Sequence, residues 1–169
     1  MSNIKFKGNP VQVSGTIPGV GEKIEDFTFV KVDLSEGSLA DYADKVKVLM
    51  AVPSLDTGIC QKEARAFNEL IGKMEGVIGL TVSKDLPFAM NRFCSAEGIE
   101  DIISASDFRY NDFGSQNGIE MTDGPLKGLF ARVVFVLDKD NKITYKEEVD
   151  DITHEPNYEA AVAAVKALV

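Results

Sequence analysis

Apolar residues along this 169-residue chain recur first at every second position, then in unbroken runs, then at helical steps. Near the start, "IKFKG" and "VQVSG" alternate and are split by "GNP", which predicts a hairpin. "DFTFVKVD" alternates from Phe27 to Val32 and predicts another strand, and "SLADYAD" a short helix opened by Ser38. A strand–helix rhythm follows. "KVKVLMAV" is a continuous apolar strand of the kind buried on both faces of a sheet. In "GICQKEARAFNELIGKM", Cys60, Ala64, Phe67, Ile71 and Met74 recur at steps of four and three, which predicts a helix. "GVIGLTVS" reads as the next buried strand, and "DLPFAMNRFCSAE" as a helix capped by Ser83 or Asp85 with a proline in its first turn. "IISASD" is a short strand. The segment from Phe108 to Leu129 is less regular, broken by Gly114, Gly118, Gly124 and Gly128, and ends in the turn-rich "DGPLKGLF". "ARVVFVLDKDNKITYKEEV" predicts a hairpin turning at "DKDN". "EPNYEAAVAAVKAL" predicts a last helix, its apolar stripe formed by Ala160 or Ala161, Val162, Val165 and Leu168.

Strands alternating with helices, then a hairpin and a final helix, predict a three-layer α/β/α sandwich with a mixed sheet and an N-terminal β-hairpin, as one domain over residues 1–169. That order is the one a thioredoxin-like fold has. The G-x-G of "GVGEKIED" follows no strand and opens no helix, so it reads as a turn and not as a phosphate loop. The 44% hydrophobic and 27% charged content is that of an ordinary globular protein. Acidic residues number 27 against 18 basic ones, a formal charge of −9. Such a surface repels phosphate backbones and anionic lipid, so neither nucleic acid nor a membrane is an expected partner. No apolar run reaches the ~18 residues of a membrane span. "MSNIKFKGNP" has no apolar h-region, which makes the cytoplasm, where thiols are kept reduced, the expected location.

Two cysteines and one histidine are too few for a disulfide scaffold or a structural zinc site, and no metal or cofactor is expected. His154, in "DITHEPNY", has no ligand partners around it and reads as a surface residue near a helix start, which leaves no Cys–His nucleophile pair. The stretch "PSLDTGIC" carries more. Pro53 ends a strand, and Cys60 falls in the first turn of the next helix. With Thr57 as N-cap, Gly58, Ile59 and Cys60 occupy the first three helical positions, where unpaired N–H groups and the helix dipole favour a thiolate. Cys60 also lies on one stripe with Ala64 and Phe67, so its spacing fits a core cysteine equally well.

A thioredoxin-like reductase would carry C-x-x-C at this junction; here Thr57 stands in place of the first cysteine. The motif Pro53-x-x-x-Thr57-x-x-Cys60 resembles the active-site signature of the peroxiredoxins. "SLDTGIC", "DLPFAMNRFC", "DGPLKGLFAR" and "EPNYEAAVAAVKAL" resemble the bacterial thiol peroxidase branch of that family over nearly the whole chain. The resemblance implies a peroxidatic Cys60, a Thr57 hydroxyl that orients both thiolate and peroxide, and a Pro53 that shields them from water. An ordinary cysteine with a pKa of ~8.5 is only about 3% thiolate at pH 7. Lowering the pKa to ~6 raises that fraction roughly thirtyfold, but part of the gain is lost to weaker nucleophilicity. Such a site must therefore also align the O–O bond and stabilise the departing oxygen. The resemblance assigns that work to Arg132, at the start of "RVVFVL", whose guanidinium offers fixed donors. Pro53, Thr57 and Arg132 would thus contact the substrate. Arg65, on the helix of Cys60, is a weaker rival, better read as solvated or paired with an acid.

A sulfenic acid on Cys60 has to be captured before it over-oxidises. In the thiol peroxidase branch a cysteine placed like Cys94 is the resolving partner, so the resemblance implies a redox-active Cys60–Cys94 disulfide and its reduction by thioredoxin. Two such helix cysteines commonly lie beyond the ~7 Å Cα separation a disulfide tolerates. The first turn around Cys60 and the end of the Cys94 helix are therefore expected to unwind on oxidation, at lower cost because Gly58 and Gly98 flank them. Hydrogen peroxide and organic (alkyl or lipid) hydroperoxides are the implied substrates. Ile59, Phe88 and Phe93 suit an alkyl tail, and an ordinary core equally well. A homodimer touching through "FRYNDFGSQNGIEM" is also implied. Two other readings compete: a thioredoxin-like disulfide-exchange or redox-sensing module without peroxidase activity, against which the missing C-x-x-C argues, and an interaction domain with structural cysteines.

Overall fold

The computed structural model describes residues 3–169; Met1 and Ser2, which open "MSNIKFKGNP", lie outside the described residues. Along the chain run β1 (Lys5–Phe6), β2 (Asn9–Pro10), β3 (Thr28–Val30), β4 (Glu36–Ser38), a 3-10 turn (Leu39–Tyr42), β5 (Val46–Ala51), α1 (Gly58–Ile71), β6 (Val77–Ser83), α2 (Pro87–Glu97), β7 (Ile103–Ser106), α3 (Asp112–Asn117), β8 (Val133–Leu137), β9 (Ile143–Glu148) and α4 (Tyr158–Lys166). β1 and β2 pair as a separate hairpin, and the others form one sheet in the order β4-β3-β7-β6-β5-β8-β9. β5, β6 and β7 are parallel. β8 and β9 extend one side antiparallel, and β3 and β4 the other. This is the expected α/β sandwich with a mixed sheet and an N-terminal hairpin.

β5 sits inside the sheet because it can face apolar surroundings on both sides. All its residues are buried. Val46, Val48 and Met50 enter one apolar cluster with α1, α2 and α4, while Leu49 and Ala51 enter a second with Phe113 of α3 and the N-terminal segment. The alternation follows from the strand period of two. On β6, Gly79 allows close packing: a Cβ there would lie 2.9 Å from Ile102 and 3.0 Å from Ile71 at the end of α1.

Local chemistry and tertiary context diverge at four places. The N-terminal hairpin turns at Lys7–Gly8, not at "GNP", and Asn9 and Pro10 pair with Phe6 and Lys5. Lys7 and Gly8 both have positive φ, 50° and 83°, as a two-residue hairpin turn requires. α1 stops at Ile71 and does not run on to Met74. α2 is capped by neither Ser83 nor Asp85; Leu86 is its N-cap, with Pro87 in the first turn. The irregular stretch after Phe108 contains α3, whose first turn is held by buried Asp107 accepting from the N–H groups of Phe113 (3.1 Å) and Gly114 (2.9 Å).

The N-terminal hairpin docks on the chain that follows β9. Asp151 accepts from the N–H groups of Lys7 (3.2 Å), Gly8 (2.9 Å) and Thr153 (2.9 Å) and from the Thr153 hydroxyl (2.6 Å). Burial pushes this carboxyl upward, but those hydrogen bonds outweigh it and hold the group well below the ordinary carboxylate range. Replacing it leaves several donors without an acceptor, so Asp151→Ala is expected to lose about 1–3 kcal/mol of stability in urea unfolding. An unchanged midpoint would show that the hairpin contributes nothing to the fold.

Candidate active site

The site forms where the chain leaves β5. Pro53 is buried, and the next residues make a tight turn. The Ser54 carbonyl accepts from the Thr57 N–H (3.2 Å) and the Thr57 hydroxyl (3.0 Å). Thr57 is the N-cap of α1 by backbone geometry, with φ −102° and ψ 146°, but its hydroxyl is not used for capping. Because it donates to Ser54, its oxygen keeps acceptor lone pairs. Cys60 follows at the third helical position with no solvent exposure, in one apolar cluster with Val52, Leu55, Ala64, Phe67, Met90 and Phe93. Both sequence readings hold at once: Cys60 is packed as a core residue and stands in the first turn of a helix.

Strand register brings Arg132 to the same place. Ala51 pairs with Val133, so Arg132 stands just beyond that ladder, level with the chain leaving β5. Its guanidinium is 1% exposed. Nε and Nη2 donate to the Ile152 carbonyl at 3.1 and 3.0 Å, and Nη1 donates to Glu63 Oε2 at 2.7 Å. Burial works to lower the Arg132 pKa. The charges of Cys60 and Glu63, and the hydrogen bond to Glu63, outweigh burial and hold it above its ordinary value.

Glu63 was missed by the sequence reading. It lies three residues after Cys60 on the buried face of α1, with no solvent exposure, and its Oε1 has no hydrogen-bond partner. Burial pushes its carboxyl up to about 7, against the pull of Arg132. An acidic residue within the stripe Cys60–Ala64–Phe67 was the available signal, since such a residue needs a buried cation.

The other candidates lie elsewhere. Arg65 pairs with Glu97 at 3.1 Å on the surface. His154 is exposed beside Asp150. No group of three or more metal-ligating side chains occurs among the described residues. Phe93 is core, Ile59 is half-buried, and Phe88 lines a surface groove with Leu34, Leu86 and Phe108. Cys94, on α2, is a free, half-buried thiol 3.2 Å from Ser104 Oγ. Burial pushes that thiol up, with the Ser104 hydrogen bond opposing it.

A family model described as Redoxin matches residues 19–162. The chain is 54% identical over 169 residues to a thiol peroxidase from Leptospira interrogans, covering 99% of each. It is 46% identical over 165 residues to a thiol peroxidase from Corynebacterium glutamicum, covering 98% of this chain and 99% of that one. A peroxiredoxin-like protein from Aquifex aeolicus superimposes with a TM-score of 0.93 at 43% identity, across 98% of this chain and 96% of that one. The chain therefore belongs to the Redoxin family, among the peroxiredoxins of the thiol peroxidase branch. By that kinship it is a thiol-dependent peroxidase, an oxidoreductase on a thioredoxin-like fold.

Removing one member of a buried ion pair leaves the other charge uncompensated. Glu63→Ala is expected to destabilise the protein by about 3–5 kcal/mol in urea unfolding, and Glu63→Gln, which keeps an acceptor for Arg132, by less. Equal and small effects would mean that Arg132 does not depend on Glu63.

Proposed function

We propose that this chain reduces hydrogen peroxide and organic hydroperoxides at Cys60, with Thr57, Arg132 and Pro53 as its substrate contacts. The observation that carries this reading is the buried Arg132 guanidinium, which pairs with Glu63 on the helix of Cys60 and feels the charge of Cys60 itself. The Cys60 thiolate attacks the distal oxygen of ROOH and the O–O bond breaks. RO⁻ leaves and takes up a proton as ROH, while Cys60 keeps the transferred oxygen as a sulfenic acid. Sulfur is oxidised by two electrons and the peroxide is reduced by two. Arg132 stabilises the charge that develops on the departing oxygen. Thr57 orients the peroxide, and Pro53 with the apolar cluster keeps water out.

In the second step the Cys94 thiolate attacks Cys60 Sγ. The S–O bond breaks, hydroxide leaves with a proton as water, and a Cys60–Cys94 disulfide remains. The two cysteines occupy different helices packed against one apolar cluster, and in this reading the first turn of α1 and the end of α2 unwind as they close. Gly98, with φ 67° at the end of α2, makes that end easy to open. A thioredoxin-type dithiol then reduces the disulfide, by two thiol–disulfide exchanges that leave the donor oxidised. We place the reaction in the cytoplasm; no helix among the described residues is long and apolar enough to cross a membrane.

The functional unit is a homodimer in this reading. Leu34, Leu86, Phe88, Phe108 and Tyr110 are between 46% and 68% exposed, and all but Tyr110 line one groove of about 440 Å³ with Val30, Pro87 and Arg109. Apolar side chains gathered in this way mark an interaction surface, and Phe108 and Tyr110 belong to the segment expected to touch a second copy.

One equivalent of cumene hydroperoxide added to reduced protein, followed by intact mass and non-reducing peptide mapping, is expected to show a Cys60–Cys94 link. Oxygen retained on Cys60 without a link would demote Cys94 to a structural thiol, and no change would end the peroxidase reading of Cys60. Because only the thiolate attacks and burial raises the Cys94 pKa, closure measured by acid quench should accelerate about tenfold per pH unit from roughly pH 6 to 8. A pH-independent rate would exclude Cys94 thiolate as the attacking group. Sedimentation velocity should give a dimer for the wild type and a monomer for a Phe88→Asp/Phe108→Asp variant. A monomeric wild type would contradict the proposed assembly.

A further inference from the structure

One side chain outside the peroxide chemistry holds the loop that carries it. Asp85, expected from sequence to cap α2, turns instead toward the chain leaving β5. Its Oδ1 accepts from Ser54 Oγ at 2.7 Å, and its Oδ2 accepts from the Leu55 N–H at 2.8 Å and from Ser83 Oγ at 2.7 Å. The Asp85 carbonyl accepts from Ser106 Oγ at 2.6 Å, which ties it to the end of β7. Ser54 then organises the turn before Cys60: its carbonyl holds the Thr57 hydroxyl, and its Oγ accepts from the Asp56 N–H at 3.1 Å. On its other side Asp85 is followed by Leu86, the N-cap of the helix that bears Cys94. A single carboxylate therefore joins the Cys60 loop to the base of the Cys94 helix.

From this geometry we infer that Asp85 is a positioning residue, a latch that holds residues 53–57 in the peroxide-reactive arrangement and must release before Cys60 can reach Cys94. The inference rests on the cycle proposed above. Hydrogen bonds to a carboxylate are roughly twice as strong as neutral ones, so the two from Ser54 and Leu55 hold the loop firmly, while the third, from Ser83, fixes the carboxylate itself. Closure proceeds only from the released state, and its rate follows the population of that state. The same hold sets Ser54 and, through it, Thr57, so the latched state is the one that meets peroxide with its groups aligned. The two steps thus place opposite demands on one residue. A firm latch speeds the first attack and slows closure, leaving the sulfenic acid exposed to a second peroxide for longer. That second attack transfers another oxygen to sulfur and gives a sulfinic acid.

The test follows both steps separately in the wild type and in Asp85→Asn, by acid-quenched time courses read by mass spectrometry. The variant keeps the side-chain shape but removes the charge and puts an NH2 donor in place of one of the two accepting oxygens, so the contacts with Ser54, Leu55 and Ser83 cannot all persist at carboxylate strength. Peroxide consumption by Cys60 is expected to slow by at least about tenfold, as misalignment predicts. Closure of the Cys60–Cys94 disulfide is expected to accelerate, and the sulfinic share of Cys60 in excess peroxide to fall. A general loss of stability does not produce this opposed pair: Ile143→Val, on the other face of the sheet, should leave both rates unchanged. Should Asp85→Asn fail to fold, Ser54→Ala removes one of the two contacts between Asp85 and the loop, together with the Asp56 N–H bond to the same oxygen, and should give the same opposed shifts. Both rates unchanged, or both moving in one direction, in a protein whose wild type links the two cysteines would overturn the latch alone. A wild type that oxidises Cys60 but never links it to Cys94 would overturn the proposed cycle, and the latch with it.

Discussion

A guanidinium with almost no access to water must find acceptors within the protein, and the folding around Arg132 meets that demand. The desolvation cost of such a charge is several kcal/mol, recovered only if its donors are satisfied. Three of its nitrogens bond to Glu63 and to the Ile152 carbonyl, and the charge of Cys60 acts on the same guanidinium. These contacts join the start of β8, the first turns of α1 and the chain after β9. The reach extends further, because Asp151, adjacent to Ile152, anchors the N-terminal hairpin. Segments distant in sequence therefore converge on one charge.

The same burial encloses Cys60, a core residue by its packing and the nucleophile of the proposed cycle. Low polarity around the sulfur strengthens every charge interaction inside the site and excludes water. It also leaves the sulfur without solvent exposure, and both cysteines are free thiols. A cysteine that is simultaneously core and nucleophile can complete the proposed cycle only if its core packing is temporary. The loop before the helix is where that change has to begin, and there polar contacts on Ser54 and Leu55 do the holding beside the buried Pro53 and Leu55 side chains.

Much of the architecture was legible in the chain. β5 shows as an unbroken apolar run and α1 as a stripe at steps of four and three, because their burial is continuous along the element. α3 was not legible: it is short, contains Gly114, carries no stripe, and is held by Asp107 from outside. Cys60, Thr57 and Pro53 were visible through their motif, since a local turn sets their spacing. Glu63 was not, although it lies on the stripe, because a count of apolar periodicity passes over an acidic residue. Asp85 looked like a helix cap because Asp often is one. The competing demand of the neighbouring loop, invisible in a linear reading, took its carboxylate instead.

The central claim is that Arg132 makes Cys60 selective for peroxide, beyond any general gain in thiol reactivity. The most direct measurement compares the rates at which Cys60 reacts with cumene hydroperoxide and with iodoacetamide, at one pH, in the wild type and in Arg132→Lys. Lysine keeps the charge but loses the fixed fork of donors. The account predicts that the peroxide rate falls at least about a hundredfold, the loss expected when a donor to the departing oxygen is removed, while alkylation falls far less. Equal losses in the two rates would contradict it, and would reduce the role of Arg132 to holding a charge in place.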